Sequence, residues 1–279
     1  MKLRNSWMNI GYLLTLSTGC AMAQPAPPTW THNPTAQNGP LHWGNVTPSY
    51  ETCGNAPLGL PTIVQVGMAQ TPVNIVTANN VLALLPQIDF QYNTTPFEVE
   101  NTGHVVEVVY DPGSSIRVGW SVTDTFQLAQ FHFHAPSEHT IDGTQFDAEL
   151  HIVHKNVLGQ YAVVAVLLSQ SATAPSGIFD QILKTAPASV ATGTLDGMTL
   201  NANSLLPQDQ DYFTYAGSLT TPPCTEGVTW FVMKTPVQVS PYVIQQLHLL
   251  AGQFPGYNGY ANNNRPVVPL NGRTILSTF

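Results

Sequence analysis

The sequence predicts a mainly-β (α+β) fold, a single domain whose helices are short. Three observations carry this expectation. Runs rich in Val, Ile, Phe, Tyr and Trp recur between Gly, Pro, Asn and Asp, the pattern of short strands joined by turns. Helical periodicity is confined to brief stretches. No internal repeat and no clean linker divides the 279 residues, a length that one large domain accommodates.

Taken in order, residues 24–40 are rich in Pro, Thr, Asn and Gly and read as an irregular arm. Strands follow at "EVENTGHVVEVVY" (98–110), "SIRVGWSV" (115–122), "TFQLAQFHFH" (125–134), "AELHIVH" (148–154), "YAVVAVLL" (161–168) and "VTWFVMK" (228–234). "YAVVAVLL" lacks alternation, which implies a strand buried on both faces. Helical patterns are expected at 80–85, 178–185 and 241–250.

The N-terminus is read apart from the domain. Lys2 and Arg4 precede an apolar run from Ile10 to Ala21, and Ala21-Met22-Ala23 follows. A basic start, a short apolar centre and small residues before the cut form an export signal. Residues 1–23 are therefore read as signal peptide and 24–279 as the domain. The product is expected outside the cytoplasm, periplasmic or extracellular. Gly19-Cys20 offers a lesser alternative, cleavage and lipid anchoring at Cys20. The apolar run is too short for a transmembrane span. Cys53 and Cys224 then remain, and an isolated pair in an oxidising compartment forms a disulfide.

Charge excludes one class of partner. Charged residues make up 9% and the net charge is −8, so nucleic acid, which wants a basic stripe, is not expected.

The chemistry concentrates in "QFHFHAPSEHT" (130–140). On a strand, His132 and His134 share a face about 6.6 Å apart. With strict alternation Phe126, Leu128 and Gln130 lie on that face too, and Phe131 and Phe133 on the other. In "AELHIVH", Glu149, His151 and Val153 share a face. Pairing the two strands brings His151 beside His132 and His134. Three neutral imidazoles suit Zn²⁺ and leave a fourth position open, as catalytic sites do. Gln130 and Glu149 can accept the outer imidazole N–H groups. A rival reading takes His132, His134 and Glu138 as the metal motif of a cupin. Cupins want a Gly where Phe126 stands, and a Pro-x-Gly that nothing before His151 supplies.

"YAGSLTTPPCTEGVTW" (215–230) decides between them. Together with "QFHFHAPSEHT", "AELHIVH", "WGNVTPSYETC", "QTPVNI" and "NNNRPVVPLNGR", it resembles the alpha-class carbonic anhydrases in order and separation. The resemblance spans about Trp30 to Arg273 and implies a twisted, mostly antiparallel sheet of about ten strands with short peripheral helices. It implies one Zn²⁺ per chain and reversible hydration of CO₂ to bicarbonate and a proton through zinc-bound hydroxide, a lyase activity. Sulfonamides and small anions are the inhibitors it implies. Two alternatives remain, a non-catalytic binding module on the same fold and a cupin-type metal enzyme, the latter disfavoured by Phe126.

The same resemblance assigns roles by position. His132, His134 and His151 match the zinc ligands. Gln130, Glu149 and the Asn263 carbonyl match their outer partners. Thr220 matches the residue that takes a hydrogen bond from the hydroxide, and Glu138 the carboxylate that orients it. Val153, Val163, Leu219, Thr221, Val228 and Trp230 match the substrate pocket, and His104 the proton shuttle. His139 and His154 are read as core hydrogen-bonding histidines, His42 and His248 as surface residues, and Met68 and Met233 as packing. The departures lie early in the chain. The family's Trp-Gly-Tyr is here Trp30-Thr31-His32, so a pocket Tyr is absent, with His32 or Asn33 in its place. The segment 55–69 is longer than usual.

Overall fold

The computed structural model describes residues 29–54, 67–119 and 121–279, with backbone alone at 194–197. The readings of the export signal and Cys20, and most of the 55–69 segment, lie outside the described residues. The strands are β1 (Asn74–Ile75), β2 (Val81–Leu82), β3 (Asp89–Gln91), β4 (Thr95–Asn101), β5 (Val106–Tyr110), β6 (Ser115–Arg117), β7 (Thr125–His134), β8 (Thr140–Ile141), β9 (Thr144–Gln145), β10 (Ala148–Lys155), β11 (Tyr161–Gln170), β12 (Ala191–Leu200), β13 (Tyr212–Ser218), β14 (Glu226–Met233), β15 (Val237–Val239) and β16 (Leu276–Ser277). The helices are α1 (Trp43–Val46), α2 (Ile178–Thr185) and α3 (Pro241–Gly252).

Thirteen of these strands form one sheet with the main order β12-β4-β5-β7-β10-β11-β14-β13-β16-β2. Along that path only β11–β14 and β16–β2 are parallel. The mostly antiparallel sheet is as expected. It is larger than about ten strands because β3, β6 and β15 attach beside the main path.

The sheet divides two cores, because successive side chains on a strand point to opposite faces. Leu150 and Ile152 of β10, Val164 and Val166 of β11, and Phe231 and Met233 of β14 join the larger cluster, with α2 and α3. Val153, Val163, Ala165, Val228, Trp230 and Val232 join the smaller one. β11 feeds both, so its run of Val and Ala is buried on each side.

Several local expectations are corrected. The pattern at 80–85 is not a helix: Val81 and Leu82 are extended and pair with β16, and Pro86 follows too soon for a helix to gain length. The run 98–110 is two strands, since Gly103 turns the chain with φ 84°. A Cβ there would lie 3.0 Å from Val190 and 3.3 Å from Pro255, so glycine is required on both counts. The strand expected at 115–122 ends at Arg117. On β7 the register shifts where Val153 faces Gln130 but His154 faces Leu128, which leaves Ala129 unpaired. That bulge turns Phe126 and Leu128 into the larger core with Phe131 and Phe133, away from the histidine face. Met233 is core, but Met68 is half-buried.

Candidate metal centre

The centre is built on β7 and β10, adjacent strands in the middle of the sheet. His151 pairs with His132 and Glu149 with His134, so three imidazoles meet on the face opposite Phe131 and Phe133. One ring nitrogen from each of His132, His134 and His151 lies within 4.8 Å of the others. The remaining nitrogens are engaged. His132 Nδ1 meets Gln130 Oε1 at 2.8 Å, His134 Nδ1 meets the Asn263 carbonyl at 2.8 Å, and His151 Nε2 meets Glu149 Oε1 at 2.8 Å. Each outer partner is an acceptor, so each outer nitrogen carries the hydrogen and the inner one a lone pair. Burial pulls all three imidazoles below their ordinary range, His134 to about 4. They are neutral at pH 7, as ligands must be. His134 Nε2 is buried without a hydrogen-bond partner. Such an atom is costly unless something occupies the space before it, and three neutral imidazoles fit a zinc ion.

Glu149 anchors this arrangement. Its Oε2 accepts from the backbone N–H of Glu138 and His139, both at 2.8 Å, and its Oε1 from His139 Nδ1 at 2.6 Å as well as His151. Burial alone would raise this carboxyl, but His139 and His151 outweigh it and hold it well below its usual range. His139 continues outward to the Tyr215 hydroxyl at 2.6 Å, which meets Thr71 Oγ1 at 3.2 Å. Thr71 and Ser218 exchange two hydrogen bonds of 3.0 Å. The ligand shell is thus tied to the start of the 218–225 loop.

Glu138 stands beside the same imidazoles, Oε1 3.5 Å from His134 Nδ1 and Oε2 3.9 Å from His151 Nδ1. Its Oε1 accepts from the Arg265 backbone at 2.7 Å. Burial raises it to about 7, against His151, the Arg265 amide and the Thr220 side chain, which favour the charged form. The Thr220 hydroxyl is near enough to act on this carboxyl, yet Oε2 has no hydrogen bond of ordinary geometry. Two other clusters share these residues, His32 with His134 and Glu138, and His139 with Glu149 and His151. Hydrogen bonds already occupy the nitrogens or carboxylates of the second, whereas the first shares His134 with the three-imidazole set and leaves His32 Nε2, His134 Nε2 and Glu138 Oε2 without hydrogen-bond partners.

Beside the imidazoles lies an apolar wall. Val153, Val163, Val228 and Trp230 are buried in one cluster, with Leu219 packed against it. Thr220 is buried and Thr221 half-buried. Trp230 Nε1 donates to the Ser218 carbonyl at 3.0 Å, which fixes the loop against the wall. The disulfide Cys53–Cys224 closes the loop's far end. Arg265 Nη2 donates to the Cys53 carbonyl at 3.0 Å.

The comparisons with known proteins agree with this architecture. The family described as eukaryotic-type carbonic anhydrase matches residues 38–279. A carbonic anhydrase of Pectobacterium carotovorum is 37% identical over 239 residues, 85% of this chain and 86% of the relative. One of Nostoc sp. is 35% identical, covering 86% of this chain and 83% of its own. The solved alpha-carbonic anhydrase of Thermovibrio ammonificans, in complex with sulfanilamide, superposes with a TM-score of 0.77 at 33% identity. That match covers 90% of this chain and 100% of the other. The chain belongs to the alpha-class carbonic anhydrase family. It is an enzyme of that family, and the fold is the family's fold.

Near the imidazoles, this carbonic anhydrase joins His104 and His32, which the family pattern pointed to, with Tyr257, which no motif announced. His104 follows the Gly103 turn, and its ring lies flat on Trp30, with centroids 3.8 Å apart and planes 9° from parallel. Burial lowers His104 to about 4. Its Nδ1 is 3.4 Å from the Tyr257 hydroxyl, and the same hydroxyl bonds His32 Nδ1. His32, one of the two residues expected in place of the family's tyrosine, is fully buried with its ring 6.1 Å from that of His134. Asn33 is outside this contact, bonded within its own turn. Tyr257 follows α3 in a stretch of Gly, Asn and Tyr that carries no spacing signal. His154 bonds Tyr92 at 2.8 Å in the core, His42 is exposed, and His248 donates to or accepts nothing at the centre, meeting Ala261 O instead.

Proposed function

We propose that this chain interconverts CO₂ and bicarbonate with one zinc ion held by His132 Nε2, His134 Nε2 and His151 Nδ1. The observation that carries the reading is the set of three inner nitrogens within 4.8 Å while every outer nitrogen is already bonded. When bound, zinc supplies a Lewis acid that lets water lose a proton near pH 7, a value established for this enzyme class rather than read from these residues. The protein's own groups then do the positioning. With Glu138 taking the hydroxyl hydrogen of Thr220, the Thr220 oxygen would be left as an acceptor that orients the oxygen nucleophile towards CO₂. The Thr220 backbone N–H is free to meet an oxygen of substrate or product. Val153, Val163, Leu219, Val228 and Trp230 offer CO₂ an apolar wall that a bicarbonate anion does not prefer. Thr221 lines the same pocket from the loop.

His104 removes the proton. At about 4, its ring is neutral at pH 7 and able to accept. A mobile imidazole added to solution is expected to take over this role when buffer is weak.

Aromatic sulfonamides and small anions are expected to inhibit. The domain begins near residue 24 after an export signal, which the disulfide supports. Among the described residues no helix is long and apolar enough to cross a membrane.

The test is CO₂ hydration before chelation, after it, and after zinc is restored, with an aromatic sulfonamide as probe. Activity should vanish, return, and then fall with inhibitor. A protein that holds one zinc and hydrates no CO₂ would be a binding module on this fold.

A further inference from the structure

Asn263 is buried and touches both the centre and the turn that carries His104. Its backbone carbonyl accepts from His134 Nδ1 at 2.8 Å, and its backbone N–H donates to the Ala135 carbonyl at 3.1 Å. The side chain makes three further bonds. Oδ1 accepts from the Ala135 N–H at 2.8 Å, and Nδ2 donates to the Phe133 carbonyl at 3.0 Å and to the His104 carbonyl at 3.2 Å. These partners fix the amide in one orientation, because the Ala135 N–H can only donate and the two carbonyls can only accept. The amide uses its oxygen once and each of its two hydrogens once, a combination that a carboxylate or a hydroxyl does not offer.

The place of these bonds matters as much as their number. The β5–β7 ladder ends at the pair Val106–Phe133, so His104 lies beyond its last rung. The turn before β5 is held chiefly by its own residues. Asn101 Oδ1 accepts from the Gly103 N–H at 2.9 Å, Thr102 Oγ1 accepts from the Val105 N–H at 3.1 Å, and the Thr102 N–H donates to the Val105 carbonyl at 3.1 Å. Asn101 Nδ2 reaches away from the centre, to the Pro187 carbonyl at 2.8 Å. None of these four bonds touches β7. The Asn263 amide supplies one that ties the turn to the end of β7, where His134 stands.

We infer that Asn263 is a positioning residue for His104, and that its side chain couples the order of the 101–105 turn to the occupancy of the centre. Fixing the His134 ring fixes the Asn263 carbonyl behind it, and the amide of the same residue passes that restraint to the His104 backbone. Such coupling is reciprocal, so an ordered turn in turn favours the filled centre. What Asn263 holds is backbone, which leaves the His104 ring its own contacts with Trp30 and Tyr257. The inference rests on the shuttle role proposed for His104, and it adds what sets that residue's place relative to the ligand His134.

The experiment is amide hydrogen exchange, read by NMR on the zinc-free and the zinc-loaded protein, with Asn263→Ala beside the parent. Alanine keeps the backbone carbonyl that meets His134, so the variant should still hold one zinc by metal analysis. In the parent, zinc should slow exchange at Thr102 and Val105 by about fivefold or more. In Asn263→Ala that effect should vanish at Thr102 and Val105 and persist at Val108, which lies within the β5–β7 ladder. The zinc-loaded variant should also hydrate CO₂ several-fold more slowly in weak buffer and recover with added imidazole. Its isotope exchange between CO₂ and bicarbonate at equilibrium, which needs no net proton release, should hold. Should the variant fold poorly, the parent still decides: Thr102 and Val105 amides indifferent to zinc overturn the inference. So does an Asn263→Ala protein in which they respond as in the parent, or one in which Val108 loses its response as well. A His104→Ala protein that keeps its full weak-buffer rate would instead remove the shuttle role, leaving the exchange data to judge the coupling through Asn263.

Discussion

The imidazoles of the centre and the imidazole at the rim are held in different ways. His132, His134 and His151 each give their outer nitrogen to an acceptor at 2.8 Å, and two of those acceptors belong to the sheet strands that carry the ligands. His104 has one long contact of 3.4 Å and a ring face on Trp30, at the tip of a glycine turn. The contrast fits the roles proposed for each. A ligand set works when the ring directions are fixed before the ion arrives, so rigidity contributes affinity. A proton carrier must meet solvent, and a group locked by short bonds on both nitrogens has no site left for the proton. The sheet supplies the first condition, and a turn at the sheet's end supplies the second.

Glu149 is the place to break the rigid half. Its two oxygens receive four N–H donors, which a carboxylate satisfies and an amide does not. Glu149→Gln should set an NH₂ against donors, destabilise the fold by about 3–5 kcal/mol and cut zinc affinity by about 100-fold. Denaturant unfolding and competitive zinc titration check both. Gln130 is half-buried and makes a single hydrogen bond, to His132, so Gln130→Ala should cost nearer tenfold in zinc affinity with little change in stability. Equal losses for the two variants would mean that the acceptors do not differ as the geometry says.

Glu107 on β5 extends the comparison to a carboxyl beside the centre. It lies opposite His132 on one side and Glu100 on the other, and burial with Glu100 raises it from 4.5 to about 7. The folded chain therefore keeps a proton that the unfolded chain has lost. Stability falls as pH rises through that window, by up to about 3 kcal/mol. In the metal-free protein Glu107→Gln should raise the melting temperature at pH 8 and leave it unchanged at pH 4. The smallest effect belongs to the loosely held residue. His104→Ala should slow CO₂ hydration in weak buffer and be masked when imidazole is abundant, as stopped-flow traces in the two buffers would record.

The same contrast explains what could be read in the sequence. The convergence of His132, His134 and His151 is legible because strand alternation is a two-residue rule and these residues obey it. Phe126 and Leu128 broke the rule because a bulge at Ala129 costs one unpaired residue and leaves no compositional mark. The helix expected at 80–85 failed for a related reason: a short apolar stretch takes its form from the partner it meets, here β16. Tyr257 could not be found at all. It reaches His32 and His104 from 225 and 153 residues away, through a loop whose Gly and Asn residues specify turns and not destinations. The substitution at His32 was visible as a departure from a family pattern, but its contact with Tyr257 exists only in three dimensions.

The most direct test of the central claim is native mass spectrometry of the purified chain with metal analysis, repeated on His134→Ala. One zinc per chain in the parent, and none retained by the variant under the same dialysis, is the result expected from three convergent imidazoles. A variant that keeps its zinc, or a parent that binds none when zinc is supplied, would contradict the ligand set on which the mechanism stands.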